Sequence, residues 1–173
     1  MKRKIAICLA MLMLWIPCSA AKAMPEVSSH SACVIDIDTG RILAAKNENE
    51  KSEPASITKI MTALIALENA DLKKVVTIPS AAAGVEGSSI YIKAGEKYSL
   101  EDLLYGLMLR SGNDAATAIA IDVAGSVDAF VEKMNQKAQE LGCTGTHFNN
   151  PHGLPDENHY TTAHDMALIT AAA

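Results

Sequence analysis

The chain has 173 residues, 49% of them hydrophobic, with 15 Lys and Arg against 20 Asp and Glu and a formal net charge of −5. No basic stripe stands out, which argues against nucleic acid as a partner. The length suffices for one hydrophobic core, so size permits a single domain.

The first 23 residues read separately from the rest. Lys2-Arg3-Lys4 is a basic start, Ile5 to Ile16 an apolar run, and Ala21-Lys22-Ala23 a small-x-small close. This is the pattern of a cleaved export signal over 1–23, with the folded part at 24–173. The apolar run is short for a bilayer, which leaves an uncleaved N-terminal anchor as the weaker alternative. Pro17 before Cys18 speaks against lipidation there. Cleavage removes Lys2, Arg3, Lys4 and Lys22, leaving 11 of the 15 basic residues against all 20 acidic ones. The expected location is extracytoplasmic, in the cell envelope: the periplasm or the outer face of the cytoplasmic membrane. Cys33 and Cys143 survive cleavage, and two readings stay open for them: a disulfide, which export permits, or two small buried residues.

In chain order, Ala32–Ile37 and Arg41–Lys46 read as strands joined by a tight turn at Asp38-Thr39-Gly40, with Asp38 supplying the local hydrogen bonding. Asn47 to Pro54 is a polar connector. Ile57, Ile60, Met61, Leu64, Ile65 and Leu67 then give a helical period ending near Glu68-Asn69. Val75–Ile78 and Ser89–Ile92 are short strand candidates, with a turn at Ala94-Gly95-Glu96 after them. Ser99 to Asp102 spells a capping box that launches a helix over Leu100–Leu109. Asp114–Ala124 is a small-residue helix expected to be buried. Gly125 breaks it, Ser126 caps Val127–Leu141, and Gly142 stops that helix. Thr144 to Tyr160 is a polar loop, and a last helix begins at Thr162 to Asp165. Its pattern is still running at Ala173, which reads as a truncated end.

Two motifs carry chemistry. Ser56-Ile57-Thr58-Lys59 opens the first helix, and positions i and i+3 share a face, so the Ser56 hydroxyl and the Lys59 amine converge. Serine needs a base to become a nucleophile, and a lysine kept neutral by its surroundings can be that base. Ser56 alone is also explained as a helix N-cap, but that leaves Lys59 unexplained. Ser111-Gly112-Asn113 lies between two helices. It reads either as a capping turn bent at Gly112, or as a turn that projects Ser111 and Asn113 into a cleft. The Asp38-Thr39-Gly40 triplet matches an aspartic-protease motif, but that chemistry needs two such aspartates, so a hairpin turn is the reading. His147/His152 and His159/His164 are spaced i, i+5, which is not a helical zinc spacing, so they predict no metal site, and a Ser56–Lys59 mechanism calls for no cofactor.

Taken with Gly87-Ser88-Ser89-Ile90-Tyr91 and Asn150-Pro151-His152-Gly153-Leu154, the two motifs resemble those of the low-molecular-mass penicillin-binding proteins, the serine-type D-alanyl-D-alanine carboxypeptidases. The resemblance runs from about Ser31 to the last residue. It implies an α/β (α+β) penicillin-binding/β-lactamase-like fold, an antiparallel sheet packed on a helical cluster. Ser56 is then the acylated nucleophile, Lys59 its base, Ser111 a proton relay to the leaving amine, and Asn113 the substrate-amide contact. The implied substrate is the D-Ala-D-Ala end of a peptidoglycan stem peptide, with β-lactams as covalent inhibitors. The family's third motif, Lys-Thr-Gly, is not found. The chain is therefore expected to be an N-terminal part of the catalytic domain, lacking central strands and half the oxyanion hole. It is expected to be inactive and poorly folded alone, with membrane association possible only through a missing C-terminal part.

Three rivals remain. A class A β-lactamase shares S-x-x-K but pairs it with Ser-Asp-Asn, whereas position 112 is Gly. A zinc D,D-peptidase would rest on the histidines. A degenerate, non-catalytic penicillin-binding module would keep the motifs without turnover.

Overall fold

Two short, mostly apolar runs, Ala32–Ile35 and Ile42–Lys46, form the first hairpin of the computed structural model, which describes residues 26–173. The expected export signal lies outside the described residues. Strand β1 (Ala32–Ile35) pairs antiparallel with β2 (Ile42–Lys46), Ala32 opposite Lys46, with a register shift between Val34 and Ile35. The turn differs from expectation in which aspartate organises it. Asp36, not Asp38, accepts from the Thr39 N–H at 3.0 Å and the Thr39 hydroxyl at 2.6 Å. Thr39 hydrogen bonds hold the Asp36 carboxyl below its ordinary range. An aspartate bonding chain that follows it is the geometry of an Asx-type turn, and it needs the carboxylate before the bend. Gly40, at φ +68°, supplies the left-handed residue.

The second sheet is also a pair. Strand β3 (Val75–Thr77) runs antiparallel to β4 (Lys97–Ser99), Val75 opposite Ser99. Ser89–Ile92 is therefore not the strand its β-branched residues predict. The Ile90 and Ile92 N–H groups donate to the Asp114 carboxylate instead of to a neighbouring strand, and Tyr91 sits at φ +62°. A buried carboxylate has displaced a ladder.

Among the described residues, five α-helices carry the core. Helix α1 (Thr58–Asn69) follows a one-turn 3-10 segment at Ala55–Ile57. Helix α2 (Leu100–Arg110) starts at the expected capping box: Ser99 Oγ accepts from the Asp102 N–H, and the Asp102 carboxylate accepts from the Ser99 N–H. Helices α3 (Asn113–Ala124), α4 (Val127–Glu140) and α5 (Ala163–Ala172) follow, the last two capped by the Ser126 and Thr162 side chains. Every residue of α3 from Asn113 to Ala120 is buried. Its alanines let the neighbouring helices approach closely, which makes it the central helix, as its small apolar composition predicts. One core gathers Val76, Ile78, Ile92, Leu100, Leu103, Leu107 and Ile119 around α2 and α3. The other joins Met61, Ile65, Phe130, Met134, Phe148 and Ile169 across α1, α4 and α5. Helix α1 contributes to both through Ala63 and Ala66 on one side and Met61 and Ile65 on the other. Each fully buried Phe or Leu stabilises by about 1.5–3 kcal/mol. The nucleophile-bearing end of α1 is thereby fixed between the two cores. Cys33 and Cys143 are both free thiols, Cys143 buried and Cys33 half-buried.

Candidate active site

Ser56 sits in the middle of the 3-10 turn, exposed, one turn ahead of a Lys59 that is only 2% accessible. The N-cap of α1 is Ile57, without a side-chain cap bond, so the Ser56 hydroxyl is not spent on capping. Lys59 Nζ lies 3.1 Å from Ser56 Oγ and donates to the His152 carbonyl at 2.7 Å. Both partners are neutral oxygens. Burial then disfavours the ammonium, and the Lys59 pKa falls from 10.5 to about 8. Neutral lysine has two N–H groups and one lone pair. With an N–H held by His152, the lone pair is free to face the Ser56 proton.

Ser111 approaches from the other side, its Oγ donating to Ser56 Oγ at 3.0 Å. The turn that carries it differs from expectation. Ser111, not Gly112, takes the left-handed conformation, at φ +56°, as the C-cap of α2. Gly112 is extended, and its lack of a side chain serves space: a β-carbon there would lie 2.9 Å from Asp114 Oδ1 and 3.3 Å from Ile90 Cγ2. Asn113 begins α3 with its amide Nδ2 donating to the Glu86 carbonyl at 2.7 Å and its backbone N–H to the Ser88 carbonyl at 2.7 Å. Gly87 leaves room for that amide, since a β-carbon at 87 would come within 2.7 Å of Asn113 Nδ2. The structure thus brings Lys59 and Ser111 each into contact with Ser56, with Asn113 next in chain to the Ser111 turn.

The supports of the site, apart from a loop-ordering role for His152, leave little local trace in the sequence. The loop 149–159 is docked under α1 by Lys59 on the His152 carbonyl and by the Thr62 hydroxyl on the Pro151 carbonyl at 2.6 Å. His159, 2% accessible, accepts the Asn149 N–H at Nδ1, so its Nε2 carries the proton and donates to Thr58 Oγ1 at 2.8 Å. His152 Nδ1 accepts from the Leu154 N–H, a loop-ordering bond. Burial is the main cause that lowers both histidines from 6.5 to about 4, leaving them neutral near pH 7. Ala55, immediately before the nucleophile, is left-handed at φ +49°. Non-glycine residues held there carry strain of about 1 kcal/mol or more, and Ala55 and Ser111 flank the reactive hydroxyl. The Asn-Pro-His-Gly-Leu run was the one sequence signal for these contacts.

Solved structures place this architecture among the penicillin-binding proteins and D,D-peptidases. The D-alanyl-D-alanine carboxypeptidase DacD from Francisella tularensis superposes with a TM-score of 0.82 at 42% identity, over 87% of this chain and 38% of that one. Penicillin binding protein 6B from Escherichia coli gives a TM-score of 0.83 at 34% identity, over 89% of this chain and 52% of that one. The chain belongs to the D-alanyl-D-alanine carboxypeptidase family, whose pattern matches residues 18–173. Among curated relatives, the D-alanyl-D-alanine carboxypeptidase DacF of Bacillus subtilis is 42% identical over 92% of this chain and 44% of its own length. DacB2 of Mycobacterium tuberculosis is 40% identical over 87% of this chain and 52% of its own length. The chain spans about half the length of the curated relatives it matches.

Proposed function

We propose that the chain carries the acylation half of a serine-type D-alanyl-D-alanine carboxypeptidase, with Ser56 as nucleophile, Lys59 as general base, Ser111 as proton relay and Asn113 as substrate contact. The observation that carries this reading is the three-way approach at Ser56, with Lys59 Nζ at 3.1 Å and Ser111 Oγ at 3.0 Å. Neutral Lys59 takes the hydroxyl proton as Ser56 Oγ attacks the carbonyl of the penultimate D-alanine. The Ser56 N–H, in the first turn where amides lack helical partners, helps hold the developing oxyanion. The proton then passes through Ser111 to the departing D-alanine nitrogen, and water hydrolyses the ester. The substrate is the D-Ala-D-Ala end of a peptidoglycan stem peptide, and β-lactams acylate the same hydroxyl.

Export and cleavage after Ala23 belong to the same proposal, since such a substrate lies outside the cytoplasm. Among the described residues no helix is long and apolar enough to cross a membrane. Turnover is proposed to require chain beyond that described, and the degenerate-module reading stays the alternative for these residues alone. Support comes from the share of its relatives the chain spans and from Val34 and Leu43 of the first hairpin, both more than half exposed.

A fluorescent penicillin, applied to the protein with the further chain that turnover is proposed to require and followed by denaturing electrophoresis and adduct mapping, tests the assignment. Label on Ser56, lost in Ser56→Ala, is the expected result. An adduct that persists in Ser56→Ala and maps elsewhere overturns it.

A further inference from the structure

We propose that Asp114 is a positioning residue of this site, a buried carboxylate that clamps the segment 86–92 onto the first turn of α3 and so fixes where Ser111 and Asn113 point. The inference rests on the acyl-serine reading above.

Asp114 is wholly inaccessible to solvent. It accepts from Ser89 Oγ at 2.6 Å, from the Ile90 N–H at 3.1 and 3.2 Å, from the Ile92 N–H at 3.2 Å and from the Ala115 N–H at 2.9 Å. A buried carboxylate is costly unless its lone pairs are filled, and here donors from the loop and the helix start fill them. Placement in the first turn of α3 adds a favourable interaction with the helix dipole. The loop so held is the one that holds Asn113, through the carbonyls of Glu86 and Ser88. Asp114 Oδ1 also limits the space around Gly112, and Ile90, tethered by its N–H, closes the other side and packs against Gly106 of α2. The Ser111 backbone is thus confined between α2 and a turn that cannot relax. None of these contacts touches the reacting atoms. Asp114 acts through Asn113 and the Ser111 turn.

Replacing the carboxylate by an amide puts donors where donors already point. Asp114→Asn is expected to lower the penicillin acylation rate about 10- to 100-fold, the penalty of displacing a proton relay by roughly an ångström. The rise of acylation through about pH 8, which belongs to Lys59 on helix α1, should stay in place while the plateau drops. Ser89→Ala removes one bond to Asp114 together with the acceptor of the Tyr91 N–H in the same segment, and is expected to slow acylation by about 3- to 10-fold. Should Asp114→Asn fail to fold, Ser89→Ala decides the matter alone. Amide hydrogen exchange reads the clamp without any chemistry. Ile90, Ile92 and Asn113 should exchange at least about 10-fold faster in Asp114→Asn, with Phe130 in α4 unchanged. Acylation at the parent rate in the folded variants, or a fall matched by the folded fraction alone, overturns the proposal. So does unaltered exchange at Asn113. If the parent takes no label even with the further chain that turnover is proposed to require, the acyl-serine reading fails, and the exchange data still judge the clamp.

Discussion

Gly153 and Ala55 are packed backbone to backbone, with Gly153 at φ +87° and the space of its missing β-carbon filled by the Ala55 carbonyl. Ala55 is the residue before the nucleophile. The loop 149–159 and the start of α1 are therefore one unit, and the glycine is required for both its conformation and its lack of a side chain.

Gly153→Ala should accordingly push the loop away from the 3-10 turn. We expect a loss of about 3 kcal/mol, from left-handed strain plus overpacking. Penicillin labelling should fall disproportionately, because the His152 carbonyl leaves Lys59. Denaturant unfolding and labelling measured on the same preparation check this. Labelling retained at the parent rate would show that the contact is dispensable.

Acylation should rise with pH through about 8, since Lys59 acts as a base only when neutral and its folded pKa is about 8. Lys59→Ala should lose that rise and most of the rate. The same shift has a stability counterpart. Unfolded Lys59 titrates near 10.5, so between about 8 and 10.5 the unfolded chain holds a proton that the folded chain does not, and stability climbs with pH. Urea midpoints should climb in the parent from about pH 8 to 9, above which the Cys143 thiol, pushed by burial from 9.0 to about 12, opposes the climb; in Lys59→Met the rise between 8 and 9 should be absent.

Acid should act through His152 and His159. Their folded pKa values, about 4, lie below the ordinary 6.5, so the unfolded state binds more protons between those limits. Stability is fully present above about 6.5 and declines as pH falls toward 4. Asp36 and Asp156, whose carboxyls are held below 3.8 by hydrogen bonds, extend the decline further into acid. Replacing His159 by Asn should remove its share of the slope between 4 and 6.5 and leave that of His152, and an unchanged slope there would refute this assignment.

Much of this was legible in the residues, and what was not has a common cause. The capping box at Ser99 and Asp102, the Ser126 cap and the α3 burial follow from local rules, and each is where the sequence puts it. The Ser56–Lys59 approach was legible because one helical turn spans it, whereas the approach of Ser111, 55 residues away, was implied by the family resemblance and not by local spacing. The Ser89–Ile92 strand was misread because its competitor, Asp114, lies more than twenty residues away, and β-propensity cannot see a buried carboxylate. Asp36 and Asp38 differ only in which side of the bend they occupy, a choice that composition leaves open. The His159–Thr58 bond spans a hundred positions and leaves no local trace.

Ser99→Ala serves as a control on the helical framework. It removes a cap far from the reacting groups and should cost about 1 kcal/mol while leaving the labelling rate of the folded protein unaltered. A change in rate would mean that α2 transmits its stability directly to Ser111.

Ser111 occupies a backbone conformation that glycine adopts freely and serine resists. Ser111→Gly is thus expected to raise the melting temperature while slowing acylation, and the two effects have separate origins in the main chain and the hydroxyl. At this position foldability and reactivity ask for different amino acids. A stability-guided redesign of the chain would choose glycine at 111 and disarm the site in doing so.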